Sequence, residues 1–222
     1  MLTLTVILFL IAVNSRTRPA QATPRITAPE VLLDAGHGGM DGGAVSPDGV
    51  CEAPITLAIA EKTRLVFAFA GISVGMVRED AASLDYTPGA SARENKNADL
   101  NARLALARQH PDSAFLSIHL NQFSQSQYSG AQVFYSENHP RSRLLAEQLQ
   151  QALRKGLNPE NQRLCKPSPE GVFLMENIAS PAVTIECGFL SNPAECALLQ
   201  QEPYQIKIAL AIVSGYLENR GT

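Results

Sequence analysis

The sequence predicts an α/β protein: one domain with a twisted, mostly parallel sheet of about six strands, flanked by helices. Two observations carry that expectation. From Val31 onward, short β-like apolar runs alternate with stretches of helical periodicity, the pattern of helices packed on a parallel sheet. The first such run ends in a glycine-rich loop, Asp34-Ala35-Gly36-His37-Gly38-Gly39, and sheets of this class place their ligands at the carboxyl ends of strands. A chain of 222 residues fills one domain, and no internal repeat, low-complexity segment or second domain is visible in it.

The elements follow in order. Residues 31–33 are the first strand. Residues 54–69 read as a helix, because Pro54 suits a first turn and Ile55, Ala58, Ile59, Leu65, Val66 and Phe69 fall on one face. Gly71 stops it. Residues 72–77 make a strand, 78–96 a long polar loop, and 99–109 a helix with Leu100, Leu104 and Ala107 inward, ended before Pro111. Residues 114–119 form a buried strand that delivers His119 and Asn121 to its carboxyl end, and 130–135 a further strand. The stretch 142–157 is amphipathic through Leu145, Leu149, Ala152 and Leu153. After a loop through Pro167 and Pro169 come two short strands, 172–175 and 182–186, and a final helix over 203–219.

The front of the chain reads differently. Residues 2–13 are an apolar run broken only by two threonines, too short for a bilayer crossing, which takes about 20 residues, but fitting the apolar stretch of a secretory signal. Ala20-Gln21-Ala22 supplies small residues at a signal-peptidase spacing, although no Lys or Arg precedes the run. Residues 1–22 are therefore expected to be a signal peptide or an N-terminal membrane anchor that engages the membrane, and 23–29 a linker. Export across the cytoplasmic membrane follows. The alternative, a buried first element, fits poorly with the three prolines between Thr17 and Pro29.

Loss of Arg16 and Arg18 with the leader takes the formal charge from −3 to −5. Nucleic acid is excluded as a partner, because its binders need a basic face to displace counterions. Cys51, Cys165, Cys187 and Cys196 form no CxxC pair. A Cys187–Cys196 disulfide is open to an exported protein; unpaired buried thiols are the favoured reading.

Three polar groups stand where apolar strands end or a helix begins. His37 lies among glycines that let the backbone bend and leave the imidazole uncrowded. His119 ends Phe115-Leu116-Ser117-Ile118. A single histidine of this kind is more often hydrogen-bonded structure; two of them, with a carboxylate just before a helix, favour a ligand set. That carboxylate is Glu52, whose alternative role is to complement the helix dipole. Together they offer two imidazoles and one carboxylate to zinc, with a fourth position left for water. Glu186 ends the apolar run Ala182-Val183-Thr184-Ile185, where a carboxylate is costly without a partner or a task. It reads as a general base, or else as a member of a structural salt bridge. His110 and His139 sit beside prolines in surface loops as bystanders. Arg78 is a candidate contact for a substrate carboxylate, Asn121 a candidate substrate ligand, and Arg103 an ion-pair or surface residue.

These residues resemble a known family, the zinc-dependent N-acetylmuramoyl-L-alanine amidases, which cleave between the muramic-acid lactyl group and the first alanine of the stem peptide. The matching blocks, in order, are 33–44 (Leu-Asp-Ala-Gly-His-Gly-Gly-Met-Asp-Gly-Gly-Ala), Glu52 before Ile55-Thr56-Leu57-Ala58, 116–121 (Leu-Ser-Ile-His-Leu-Asn) and 186–192 (Glu-Cys-Gly-Phe-Leu-Ser-Asn). The resemblance implies zinc on His37, Glu52 and His119, Glu186 as catalytic base, a catalytic domain over 30–220 and peptidoglycan as substrate. It departs from the family where Ala53-Pro54 replaces a common Lys-Asp pair and Cys51 precedes the ligand, which raises Cys51 as a competing metal ligand. The look is closest to compact, germination-specific amidases of spore-formers, since no wall-binding repeat is present and little chain separates Tyr135 from the next helix. An accessory protein of unknown kind joins the candidate partners. A zinc peptidase or deacetylase on another wall bond, and a non-catalytic wall-binding or regulatory protein on the same scaffold, are the rival readings.

Overall fold

A computed structural model describes residues 28–220. The leader and nearly all of the linker expected from the sequence lie outside the described residues. Among these residues, no helix is long and apolar enough to cross a membrane.

Six strands form one sheet: β1 (Val31–Ala35), β2 (Val74–Met76), β3 (Ala114–Asn121), β4 (Gln132–Tyr135), β5 (Lys166–Pro167) and β6 (Ala182–Phe189), in the order β2-β1-β3-β6-β4-β5. All neighbours run parallel except β4 against β6. Among the described residues six helices accompany them: α1 (Glu52–Phe69), α2 (Ala92–Gln109), α3 (Pro140–Leu157), α4 (Phe173–Asn177), α5 (Pro193–Leu199) and α6 (Glu202–Arg220). The architecture is the α/β sheet the sequence predicts.

Strand alternation divides the interior into two layers. Val31, Leu33, Leu116, Ile118 and Ile185 point into a large core with Ile59 and Phe67 of α1, Leu149 and Leu153 of α3, and Ile208 and Ile212 of α6. Leu32, Phe115 and Ala182 point the other way, into a smaller core with Leu104 and Ala107 of α2 and Leu174 and Met175 of α4. Asp34, Ser117, His119 and Glu186 share the parity of the second set, so this layer turns polar toward the carboxyl ends of β1, β3 and β6. Where α3 and α6 cross, Gly215 lets the backbones touch: a Cβ there would stand 2.8 Å from the Leu149 Cα.

Several expectations are corrected. The run 172–175 is not a strand but the start of α4, with Glu176 N–H donating to Val172 O and Ile178 N–H to Leu174 O. A short apolar run has no period of its own to separate the two; burying both Leu174 and Met175 on the α2 layer decides it. The missing sixth strand is β5, paired with β4 in the Pro-rich loop. Helix α2 starts seven residues earlier than the predicted 99, at Ala92, because Ser91 and Glu94 form a reciprocal capping box. Helix α5 was not foreseen, although Asn192 caps it through Glu195 N–H and Pro193 opens it. On α1 the buried face is rotated from the expected one: Phe67 is buried edge-on against the Tyr216 ring, whereas Phe69 is 95% exposed and Leu65 is exposed too.

Candidate metal centre

The ligand loop is built around close approach. His37 follows β1 in the left-handed region at φ 62°, a conformation that costs a non-glycine residue energy and persists only when its surroundings enforce it. They do so from below. Arg103 of α2, buried, donates to His37 O at 2.5 Å and to Ala35 O at 3.0 Å, and pairs with Asp34 and with Asp99 Oδ2, the latter at 2.7 Å. The ion-pair expectation for Arg103 thus holds, but in the interior, not at the surface. Gly36 is required by its neighbour: a Cβ there would lie 2.3 Å from His119 Cε1.

Glu52 is the first residue of α1 and only 2% exposed. Its carboxylate bridges the two imidazoles, Oε2 at 3.1 Å from His37 Nε2 and Oε1 at 3.0 Å from His119 Nδ1. Backbone N–H groups of Ala44 and Leu120, each at 2.8 Å, fix one oxygen apiece. The three donor atoms all lie within 4.8 Å of one another. Two neutral imidazole nitrogens and a carboxylate oxygen, each about 2.0–2.2 Å from a common ion, would stand at such mutual distances, so the residues fit a divalent cation. Cys51 lies outside this group and is exposed. Cys187 and Cys196 are buried free thiols, as expected, and Cys165 is free and partly exposed.

Charge is shared through the cluster. Burial alone would lower the His37 pKa, but the carboxylates of Asp41 and Glu52 outweigh it and hold it at about 9. Burial opposes ionisation of Glu52, and hydrogen bonds from His119 and His37 overcome it, keeping this carboxyl well below the usual range. Asp41, which the sequence reading passed over, contacts His37 Nδ1 at 3.0 Å, on the ring edge away from Glu52, and Lys96 Nζ at 3.2 Å. The signal was present as an acid four residues beyond His37 in the same loop, without a helix to explain it.

Glu186 stands opposite His119 in the β3–β6 ladder. Its Oε2 is buried and has no hydrogen-bond partner. Burial pushes its pKa up to about 7, with His119 opposing the rise and the Glu52 charge adding to it. A buried carboxylate oxygen without a partner is costly, and it lies beside the His37–Glu52–His119 cluster. A register shift between His119 and Asn121 turns the end of β3. Asn121 is half-buried there, its carbonyl accepts from Leu190 N–H, and it is not among the residues lining the cavity beside the two histidines.

Arg78 is a correction. It is 2% exposed. Its guanidinium donates to Ala35 O, Gly36 O, Ala53 O and Asp80 O. Four carbonyls take four of its five N–H donors, so it clamps the His37 loop to the start of α1, and its burial keeps it from a substrate carboxylate. His139, taken for a bystander, caps α3 by accepting from Arg141 N–H.

Beside the two histidines opens a cavity of about 290 Å³, walled by Tyr86, Leu100 and Leu174 and edged by Lys96.

Germination-specific N-acetylmuramoyl-L-alanine amidase of Bacillus subtilis is 38% identical over 189 residues, covering 84% of this chain and 78% of that protein. The CwlD amidase of Clostridioides difficile, solved in complex with the GerS lipoprotein, superposes with a TM-score of 0.83 at 39% identity, covering 87% and 98% of the two chains. An N-acetylmuramoyl-L-alanine amidase from Clostridium difficile 630 matches with a TM-score of 0.75 at 26% identity, covering 88% and 98%. Residues 31–218 match the family pattern itself, and the chain belongs to the N-acetylmuramoyl-L-alanine amidase family.

Proposed function

We propose that this protein hydrolyses the amide between N-acetylmuramic acid and L-alanine in peptidoglycan, with zinc held by His37, Glu52 and His119. The observation that carries the reading is the juxtaposition of that three-residue donor set with a buried carboxylate oxygen, Glu186 Oε2, that no protein group satisfies. When bound, zinc supplies Lewis acidity toward a carbonyl and acidifies water. The chain's own residues do the rest. Glu52 and the two histidines would hold that ion. Glu186 Oε2 accepts the proton of the attacking water and returns it to the alanine nitrogen as the C–N bond breaks, a role suited to a carboxyl whose pKa lies near neutrality. Asn121, two residues beyond His119 at the end of β3, is a candidate to orient the substrate.

The biological setting in this reading is cortex or wall remodelling in a spore-former, supported by the germination-specific name of the Bacillus subtilis relative. Residues 1–22 carry the catalytic domain, 30–220, across the cytoplasmic membrane as signal peptide or anchor. The Clostridioides difficile relative is solved with a lipoprotein, which supports an accessory protein as a partner here.

Digestion of purified peptidoglycan, followed by mass analysis, tests the reading. Fragments bearing an intact stem peptide with a free alanine amine are expected, their release abolished by a chelator and restored by zinc. Activity indifferent to the chelator removes the metal role; release of other fragments points to a peptidase or deacetylase instead. Glu186→Gln is expected to lower kcat by about 10²- to 10⁴-fold with zinc still bound, and full activity in that variant removes Glu186 as the base.

A further inference from the structure

We propose that the cavity beside the metal ligands is the subsite for the first two residues of the stem peptide, and that Lys96 reads the carboxylate of the second; this rests on the amidase reading above. The cavity's volume, about 290 Å³, lies at the lower end of small-ligand sites, roughly 300–1,000 Å³. That space holds a dipeptide segment and is too small for a run of sugars. Its walls include Met40, Ala90, Leu100 and Leu174, which suit the alanine methyl and an aliphatic side-chain stem more than hydroxyl-covered pyranose rings.

The charges in the lining separate into spent and available. Arg103, Asp34 and Asp99 are tied to one another and to backbone carbonyls below the ligand loop. Lys96 is different: it is 55% exposed, and its recorded ion pair, to Asp41 Oδ2 at 3.2 Å, accounts for one of three ammonium donors. Two donors are therefore left for a ligand in the cavity that Lys96 lines. The sequence placed carboxylate recognition on Arg78, which is buried and consumed; Lys96 is the cation that stands at the cavity.

Position selects the residue it reads. Lys96 touches Asp41, and Asp41 touches His37 Nδ1. The ammonium is thus two contacts and one imidazole ring from His37 Nε2, the nitrogen turned toward Glu52. Two residues of extended chain span about 7 Å, so a peptide whose first amide lies at the metal brings its second residue to Lys96. In peptidoglycan that residue is a γ-linked glutamyl group, with its α-carboxyl either free or converted to an amide. The free acid pairs with Lys96; the amide does not.

The test is kinetic, on the full protein with two synthetic N-acetylmuramoyl dipeptides, one with the free α-carboxylate and one with the primary amide. Wild type is expected to favour the acid by about three- to tenfold in kcat/KM, the range for a partly exposed charged pair. Lys96→Met brings the ratio near one, and Lys96→Arg restores most of it. Any disturbance passed through Asp41 to the metal acts on both substrates and cancels in the ratio, so a merely structural role leaves it unmoved. A wild type that cleaves both equally, or a Lys96→Met protein that keeps the preference, overturns the proposal while the amidase reading stands. Failure of wild type on both dipeptides and on peptidoglycan overturns both. Should Lys96→Met not fold, Leu100→Trp, which narrows the cavity, is expected to raise KM for both dipeptides with metal content unchanged; an unaltered KM overturns the assignment of the cavity.

Discussion

Removing the Asp41 carboxylate tests the proposed zinc site, because two opposite effects on its affinity follow from one substitution. Asp41 fixes His37 from behind through Nδ1 at 3.0 Å, and partners of this kind are worth about 10- to 100-fold in metal affinity. At about 1.4 kcal/mol per tenfold, Asp41→Ala would cost roughly 1.4 to 2.8 kcal/mol on that account. The same carboxylate also helps hold the His37 pKa at about 9, so in metal-free protein at pH 7 a proton occupies the ring and competes with the ion. Its removal relieves part of that competition. The relief is the smaller term, because a divalent ion carries twice the charge of the proton it displaces and feels the lost carboxylate correspondingly more. Net weakening of about tenfold is expected at pH 7. The sign with pH follows: above about 9 wild-type His37 sheds its proton unaided, the relief vanishes, and the deficit of Asp41→Ala grows toward 100-fold. Competition for zinc against a chromophoric chelator, from pH 7 to 9.5, measures it. A folded Asp41→Ala protein with wild-type affinity at both ends would refute the positioning role.

Gly215→Ala sets helix propensity against packing: alanine favours a helix by about 1 kcal/mol, but its Cβ would sit 2.8 Å from the Leu149 Cα and 2.9 Å from the Gln148 O. Neither backbone atom can step aside, so the helices must separate, and a net loss of about 1–2 kcal/mol is expected as a lower urea midpoint. Glu195→Gln breaks a buried junction in which the carboxylate accepts from Phe189 N–H at 2.7 Å and Gly130 N–H at 2.9 Å. An amide can serve one of them while turning its own N–H groups on the other, which is expected to cost about 2–3 kcal/mol in denaturant unfolding. Cys51→Ser is expected to leave zinc affinity within about twofold, read in the same competition assay, because Cys51 lies outside the donor set and an extended chain points adjacent side chains to opposite faces.

The site was more legible than the scaffold around it. Each member of the clustered donor set marks a discontinuity in pattern, a histidine among glycines, a histidine closing an apolar strand and an acid opening a helix, and such breaks are visible without knowing which face is buried. The strands of the α/β alternation were legible too, since β1, β3 and β6 are buried on both faces and read as near-continuous apolar runs interrupted by few polar residues. Helix α1 was not. Its apolar residues nearly encircle it, so the face assigned from spacing was wrong at Phe69 and Leu65, and only the partner ring of Tyr216 selects Phe67.

What stayed hidden are the residues whose work lies at a distance in sequence. Arg78 and Arg103 look like surface arginines until β1 ends between them, and then their guanidinium groups become the donors that saturate the carbonyls of Ala35, Gly36 and His37. A loop that turns through a positive φ at His37 leaves those carbonyls with no ladder to join, and buried carbonyls must find donors somewhere. Two buried cations beneath a site meant to hold a third appear contradictory. Asp34 and Asp99 resolve it by neutralising Arg103, so the strained loop is held rigid from below while the net negative charge of Glu52 and Asp41 stays above, on the side where a divalent ion would bind.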